Sequence, residues 1–386
     1  MAAAASSSGS TLAPPPLSTS ERALVLSALL NSDPPHRAHS RPALAFRPID
    51  LQTGILPSAH GSARLTLGAG TGGGFDSETV TEVLVGVSVE VKKVELGEPP
   101  VTCSVEVDPA LQHSLPAPYS TESLSNSLTN LLSSAIRPTT SDPEDESAPP
   151  PLFPNSQRQV IPGQSNWHFY IDATILSLSA GNLVDAVFAA VFAALSDVRI
   201  PRTRPIRFRS EDAKGGAGGG GLLKQKGDEL GLIKQTRQDR AVDFELLQDD
   251  TGLGGDRLEN WEAVPVCITV SLLPQSLLLD ADATEALVVP SQIHVIASAS
   301  GHVHGVHFAG PGGFWEASDP KSSEEANGPG GLWNPNESIQ RGMGSRYEAV
   351  KNAIKVGVNS ASSLSAMLIA QIEEQQRARQ QRLLAG

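Results

Sequence analysis

The amino-acid sequence predicts an α+β protein built in two halves, and three observations carry that prediction. β-like and helical runs alternate over residues 18–205, ending in a long strand and an apolar helix. Composition then shifts sharply over 206–261, where "KGGAGGGG" reads as a flexible Gly-rich insertion. A second set of strands and a terminal helix follows over 262–386. A chain of 386 residues has room for such a pair.

Each element has its own signal. Residues 1–17 are an Ala/Ser/Pro tail without periodicity and are expected to be disordered. In "STSERALVLSALL", Ser18 and Glu21 have the spacing of a capping box ahead of an apolar run, which predicts a short helix. "ARLTL" alternates like a strand, and turns are expected ahead of it at Gly54 and Gly61. Residues 81–91 ("TEVLVGVSVEV") and 100–108 ("PVTCSVEVD") give two further strands. Leu124, Leu128, Leu131, Leu132 and Ile136 recur at helical spacing after a Ser/Thr cap. Residues 138–159 are acidic and Pro-rich and read as an exposed loop. The long strand "NWHFYIDATILSL" and the helix of "GNLVDAVFAAVFAAL" come next.

In the second half, "VPVCITVSLL" predicts a strand. "DADATEALV" predicts an acidic turn or short helix, and a hairpin is expected to turn at Ser300-Gly301. After a Gly/Pro/Asn-rich loop, Val350, Ile354, Val358, Ala361, Leu364, Leu368 and Ile372 form one stripe of a last helix. Its polar end, "EEQQRARQQRLL", is expected to project into solvent.

Composition narrows the function classes. The net charge of −13 argues against a protein that coats nucleic acid with its whole surface, while leaving room for a local basic strip. The two cysteines, Cys103 and Cys267, lie in apolar β-like runs and read as buried free thiols in a reducing compartment. The N-terminus lacks the pattern of a secretory signal, and the longest apolar run, Ala186 to Leu195, is too short to cross a bilayer. A soluble intracellular chain, with no membrane partner, is the expectation.

Three blocks in order resemble ribonuclease PH-like proteins: "RPIDLQTGILPSAHGSARLTLG", "WHFYIDATILSLSAGNLVDAVFAAVFAALSDVRIP" and "VPVCITVSLL" with "LLLDADATEALV". The forms "GSAR" and "GN-x-x-DA" are most similar to the ring subunits of the eukaryotic RNA exosome. The resemblance implies the RNase PH fold, with a β-α-β core like that of ribosomal protein S5 domain 2 and a smaller C-terminal α+β domain. It implies a ring with other RNase PH-like exosome subunits, S1/KH-type cap subunits and associated hydrolytic nucleases, around a channel for single-stranded RNA. It also implies a nuclear, nucleolar and cytoplasmic location, with rRNA processing and RNA turnover as the work.

Phosphorolytic members of this family need arginines to hold phosphate and a carboxylate near the scissile linkage. In this sequence Ser179 stands where the resemblance places the acid, and residues 94–136 contain no Lys or Arg. Asp185 falls at the third helical position after Asn182 and reads as a helix-start residue. The expectation is therefore a subunit without catalytic residues, cofactor or metal. An active phosphate-dependent 3'-5' exoribonuclease is the alternative, and a stand-alone RNA-binding protein fits the acidic balance poorly.

"RIPRTRPIRFR" places Arg199, Arg202, Arg204, Arg207 and Arg209 together with no acid between them. They read either as RNA-phosphate contacts or as contacts with an acidic neighbouring subunit, and Arg64 of "GSAR" joins them as a candidate RNA contact. "HVHGVH" puts His302 and His304 on one strand face and His307 on the other, without a third ligand at metal-binding spacing. It reads as an exposed hairpin.

Overall fold

The computed structural model describes residues 17–30, 35–37, 40–68, 80–94, 98–114, 120–137, 151–179, 181–206, 243–247, 255–273, 276–289, 291–309 and 346–385. The N-terminal tail, "KGGAGGGG", Arg207 and Arg209 lie outside the described residues.

Helix α1 (Thr19–Leu30) begins at the expected capping box: Glu21 N–H donates to Ser18 Oγ at 3.2 Å, and Ser18 N–H donates to Glu21 Oε2 at 2.8 Å. Strands β1 (Ile49–Thr53), β2 (Gly61–Leu67), β3 (Thr81–Lys93) and β4 (Val101–Val107) follow, then α2 (Thr121–Ile136) and α3 (Asn155–Arg158). After β5 (Gln159–Ile161) comes the long β6 (Ser165–Leu178), and it leads into α4 (Leu183–Asp197). The first sheet has the order β1-β2-β3-β6-β4, with β5 on β6; only the β4–β6 pair is parallel. A parallel pair needs a crossover, and α2 supplies it.

Gly61, expected as a turn, is instead the first residue of β2, in register with Val87. It lies against the end of α4, where a Cβ would come within 2.7 Å of the Ala194 carbonyl. The loop expected over 138–159 is described from 151 onward, and there Leu152 and Phe153 are buried, with Phe153 stacked 4.5 Å from Phe169.

Beyond α4, the pair β7 (Arg199–Ile200) and β8 (Thr203–Ile206) is matched by β9 (Asp243–Leu246) and β10 (Asp256–Arg257). β9 pairs β8 and β10 pairs β7, both antiparallel. Both ends of the expected insertion thus return to the strands from which it leaves, and Leu258 and Trp261 are buried in the core.

The second sheet, in the order β12-β11-β13-β14, is built from β11 (Val266–Leu272), β12 (Leu277–Leu279), β13 (Gln292–Ala297) and β14 (Val303–Ala309). Helix α5 (Ala283–Val288) follows β12, and α6 (Arg346–Ala385) ends the chain. Gly301, with φ +84°, makes the expected hairpin turn between β13 and β14.

Helix α4 packs on β1, β2, β3 and β6 of the first sheet and on β11 of the second. Covered on both sides, it is buried continuously from Asp185 to Ser196, which is why its sequence is apolar all round rather than striped. One core cluster runs through both sheets, α2, α4 and α6.

Helix α6 departs from the expected stripe in its first half. Ala349 and Ala353 are fully buried, whereas Val350, Ile354 and Val358 only flank the core; Ala361 is buried as expected. The reason is close approach: a Cβ at Gly357 would lie 2.7 Å from Val295 Cγ2, so only small residues fit the seam against β13. Further on, Leu364, Leu368 and Ile372 are buried as expected. The polar end also departs from expectation by packing along β1. Thr53 N–H donates to Gln375 Oε1 at 3.1 Å, Gln375 Nε2 donates to the Leu51 carbonyl, and Gln371 Nε2 donates to the Ile49 carbonyl at 3.4 Å. Glutamines thereby satisfy backbone groups on an edge strand that would otherwise invite pairing.

Candidate functional site

The strand-to-helix junction is the natural place to look for chemistry, because α4 points its N-terminus at the second sheet there. Gly181 and Asn182 both take left-handed backbone, with φ +76° and +51°. A Cβ on Gly181 would stand 2.9 Å from Ala283 N, so glycine is required by proximity as well as by φ. The junction is pressed against the turn between β12 and α5.

That turn carries Asp280, itself at φ +49° and fully buried. Its carboxylate accepts from Arg41 Nη1 (2.7 Å), Arg47 Nε (2.9 Å), Arg47 Nη2 (2.7 Å), the Arg47 backbone N–H (2.7 Å) and Asn182 Nδ2 (2.8 Å). Burial alone would raise its pKa, but the bonds and charge of Arg47, with Asn182, hold it below the usual carboxylate value. Beside it, Arg37 forks onto Glu285 at 2.9 and 2.6 Å and donates to the Leu279 and Asp280 carbonyls. Glu285 also closes a capping box with Asp282 at the start of α5. The segment before β1 is thus stapled to the second half by buried, fork-to-carboxylate pairs.

Asp185 occupies the expected third position of α4, and its carboxylate also reaches beyond the helix start. It is buried and accepts from Thr269 N–H at 2.9 Å and Thr269 Oγ1 at 2.7 Å, reaching across to β11. Burial pushes its pKa up to about 7, against the Thr269 and Asn182 hydrogen bonds and with help from Asp280. Ser179, by contrast, is exposed; its hydroxyl donates to the Val80 carbonyl at 3.1 Å and lies 3.2 Å from the Ser177 hydroxyl. The carboxylates around the junction, Asp185, Asp280, Asp282 and Glu285, are all buried.

Of the expected RNA-contacting arginines, Arg199, Arg202 and Arg204 follow the other end of α4 in the chain, and Arg64 stands apart on β2. Arg199 N–H donates to the His60 carbonyl at 2.9 Å, which places it beside the β1–β2 turn. Arg64, on β2, pairs with Glu82 at 2.6 Å across to β3. Arg202 grips Asp256 through Nε and Nη2, the shortest contact being 2.5 Å, and Arg204 lies 3.9 Å from Glu245. The sequence shows no acid within the arginine run, yet the chain supplies acids from β9 and β10. Arg207 lies outside the described residues.

Two arginines that the sequence reading left aside join this rim. Arg257 stacks 4.1 Å over Trp261 and donates to the Ser196 carbonyl at 3.0 Å, while Arg379 of α6 donates to Asp197 at 3.0 Å and Thr53 Oγ1 at 2.9 Å. Cations at a helix C-terminus oppose its dipole, so this rim also stabilises α4. A cavity of about 680 Å³ opens beside it, lined among others by Trp167, Pro201, Arg202, Leu247 and Asp256.

Among the described residues no three His, Cys, Asp or Glu side chains come together as a metal set. His302 and His304 meet edge to face at 5.2 Å, and His307 lies opposite His294 in the β13–β14 register. Both cysteines are buried and free; burial drives the Cys103 pKa up to about 12. Sequence reasoning missed Arg37, Arg41, Arg47, Asp280, Thr269 and His294. One local signal was available, the Asp282-x-x-Glu285 capping-box spacing; the rest depends on contacts between distant segments.

Comparison with known proteins follows the same lines. Residues 45–201 match the sequence profile of the 3' exoribonuclease family, domain 1. The exosome complex component Rrp42 of Pyrococcus abyssi is 24% identical over 279 residues, covering 70% of this chain and 77% of that protein. Its counterpart in Methanothermobacter thermautotrophicus is 30% identical over 172 residues, 43% of this chain and 53% of that one. Among solved structures, an archaeal exosome core superposes with a TM-score of 0.50 at 18% identity, covering 90% of this chain and 95% of that one. The Archaeoglobus fulgidus exosome with RNA bound to the active site gives 0.53 at 18% identity, covering 90% and 96%. The chain has the RNase PH fold.

Proposed function

We propose that this chain is a non-catalytic ring subunit of an RNA exosome core, of the eukaryotic type resembling ribosomal RNA-processing protein 42. Similarity to archaeal Rrp42 over most of both chains supports the ring role. The observation that carries the non-catalytic reading is the state of the α4 junction. Phosphorolysis needs a free cationic fork for phosphate and a carboxylate within reach of the scissile bond. Around this junction Arg37, Arg41 and Arg47 are bonded to carboxylates, and the carboxylates are buried beneath them. The exposed group at the strand end is the Ser179 hydroxyl, which has neither the charge nor the acidity for the task.

In this reading the chain contributes architecture and part of an RNA-threading channel, with hydrolysis left to associated nucleases and with S1/KH-type subunits as caps. Arg64, Arg199, Arg202, Arg204 and Arg207 are the proposed RNA contacts. Arg202 and Arg204 are more than half exposed, as are their acid partners. Such pairs are weak and exchange readily, so a phosphate backbone can take the place of either acid. Work in rRNA processing and RNA turnover, in the nucleus, nucleolus and cytoplasm, belongs to the same proposal.

The test is incubation of the purified chain, alone and in the reconstituted ring, with single-stranded RNA and inorganic phosphate. No nucleoside diphosphate release attributable to this chain is expected. Phosphate-dependent release by the chain alone, abolished by Asp185→Asn, would establish the active exoribonuclease instead.

A further inference from the structure

Thr269 of β11 stands between two buried titratable groups that the proposed function does not use. Its hydroxyl lies 2.7 Å from Oδ1 of Asp185 and 2.9 Å from Nδ1 of His294, and all three residues are buried. A hydroxyl has one hydrogen to give, so one of its two neighbours must supply a hydrogen of its own. Two self-consistent arrangements exist. With Asp185 ionised, Thr269 donates to the carboxylate and His294 donates to Thr269 from Nδ1, so that Nε2 carries no hydrogen. With Asp185 protonated, the acid donates to Thr269, the hydroxyl donates to Nδ1, and the imidazole carries its hydrogen on Nε2. The imidazole is neutral in both, and the two differ by a single proton exchanged with water.

We propose that protonation of Asp185 reverses the Asp185–Thr269–His294 hydrogen-bond chain and moves the His294 hydrogen from Nδ1 to Nε2, so that a proton at the start of α4 is read out in the second sheet. The relay crosses from helix to sheet through side chains alone, and it ends on β13, the neighbour of edge strand β14. Its surroundings come from every packed element. Asp185 is faced by Asn182 at its own helix start, by Asp280 from the turn after β12, and by Cys267 and Thr269 of β11. His294 is faced by His307 of β14. Burial lifts the Asp185 pKa to about 7 and, with the His307 charge, lowers that of His294 to about 4. The carboxyl therefore titrates near neutrality while the ring stays uncharged.

The tautomer is directly observable. The full chain, labelled with ¹⁵N in histidine, is followed by two-bond ¹H–¹⁵N correlation between pH 5.5 and 8.5, with His294 assigned by the signal lost in His294→Gln. The two ring-nitrogen shifts of His294 are expected to exchange places about a midpoint near pH 7, without an imidazolium signature. In Asp185→Asn, which cannot titrate, and in Thr269→Val, which breaks the chain but keeps both end groups, one tautomer should persist throughout. A His294 tautomer that is constant in the unmodified chain, or that swings equally in Thr269→Val, would overturn the relay. Should Asp185→Asn fail to fold, Thr269→Val and the unmodified chain still decide between these outcomes.

Discussion

The two ends of α4 use the same residue types to opposite effect. At its N-terminal end, arginines and carboxylates are sealed between the sheets: Arg47 and Asp280 have side-chain exposures of 9% and 0%. Past its C-terminal end the Arg202–Asp256 and Arg204–Glu245 pairs stand in solvent, with Arg202 and Asp256 at 53% and 51%. In water such a pair gains about 0–1 kcal/mol, because both ions were already well solvated. Buried, the pair itself adds little net stability, but removing one partner strands the other in a medium that cannot solvate it. The front of the helix is therefore a lock that tolerates no single change, and the rear is a set of cations that can change partners.

The lock is tested most severely by Asp280→Ala, which removes the buried carboxylate that Arg41, Arg47 and Asn182 share. A loss of about 3–5 kcal/mol is expected in urea denaturation. A loss below about 1 kcal/mol would mean that water reaches the junction, and the contrast between the two ends would disappear.

The next effect is one of pH and concerns the other buried groups at the front. Asp185 has its pKa raised on folding, to about 7, so it contributes stability at low pH that is lost as pH rises from about 4 to 7. His294 has its pKa lowered, to about 4, so it contributes the reverse: stability present above about 6.5 and lost as pH falls towards 4. In the intact protein the two slopes oppose each other across that window. In His294→Gln the Asp185 slope stands alone, and stability should fall by a few kcal/mol, on the order of 1 kcal/mol per pH unit, between pH 4.5 and 7. Denaturation midpoints at four pH values are enough. A flat profile for the variant would show that Asp185 ionises with little penalty.

At the rear, Arg379→Ala removes the bonds to Asp197 and Thr53 that hold the end of α6 on β1. With Arg379 38% exposed, the expected cost is about 1 kcal/mol, measured as a shift in thermal midpoint. Hydrogen exchange should quicken at Thr53 before it does so in the core.

The smallest effect on folding is expected from Arg202→Glu combined with Arg204→Glu, within about 1 kcal/mol, because both pairs are exposed. RNA affinity of the assembled ring should nonetheless fall, with a shallower salt dependence, since each phosphate contact releases a counterion. Lost assembly with unchanged RNA affinity would assign the arginines to a neighbouring subunit instead.

Much of the fold was legible because local rules govern it. The Ser18–Glu21 capping box, the alternation of β3 and the Ser120-capped leucine spacing of α2 each follow from contacts within one element. The candidate site was legible only in part. Asp185 could be placed at the third position of α4, but a helix-start carboxylate and one that crosses to Thr269 look identical in sequence. The arginine run could be seen, yet its acids could not, because Glu245 and Asp256 lie far along the expected insertion, past its Gly-rich run, and arrive through the β8–β9 and β7–β10 pairings.

The sequence by itself determined the periodicities, the caps, the absence of cations over residues 94–136 and the hydroxyl at position 179. Tertiary structure alone decided which charges are sealed and which are free to exchange. Arg37, Arg41 and Arg47 meet their acids more than two hundred residues along the chain, and all-round burial of α4 comes from two sheets closing on it. Burial is a property of what closes over a residue, and the energy of a charge depends on the dielectric around it far more than on its neighbours in the chain.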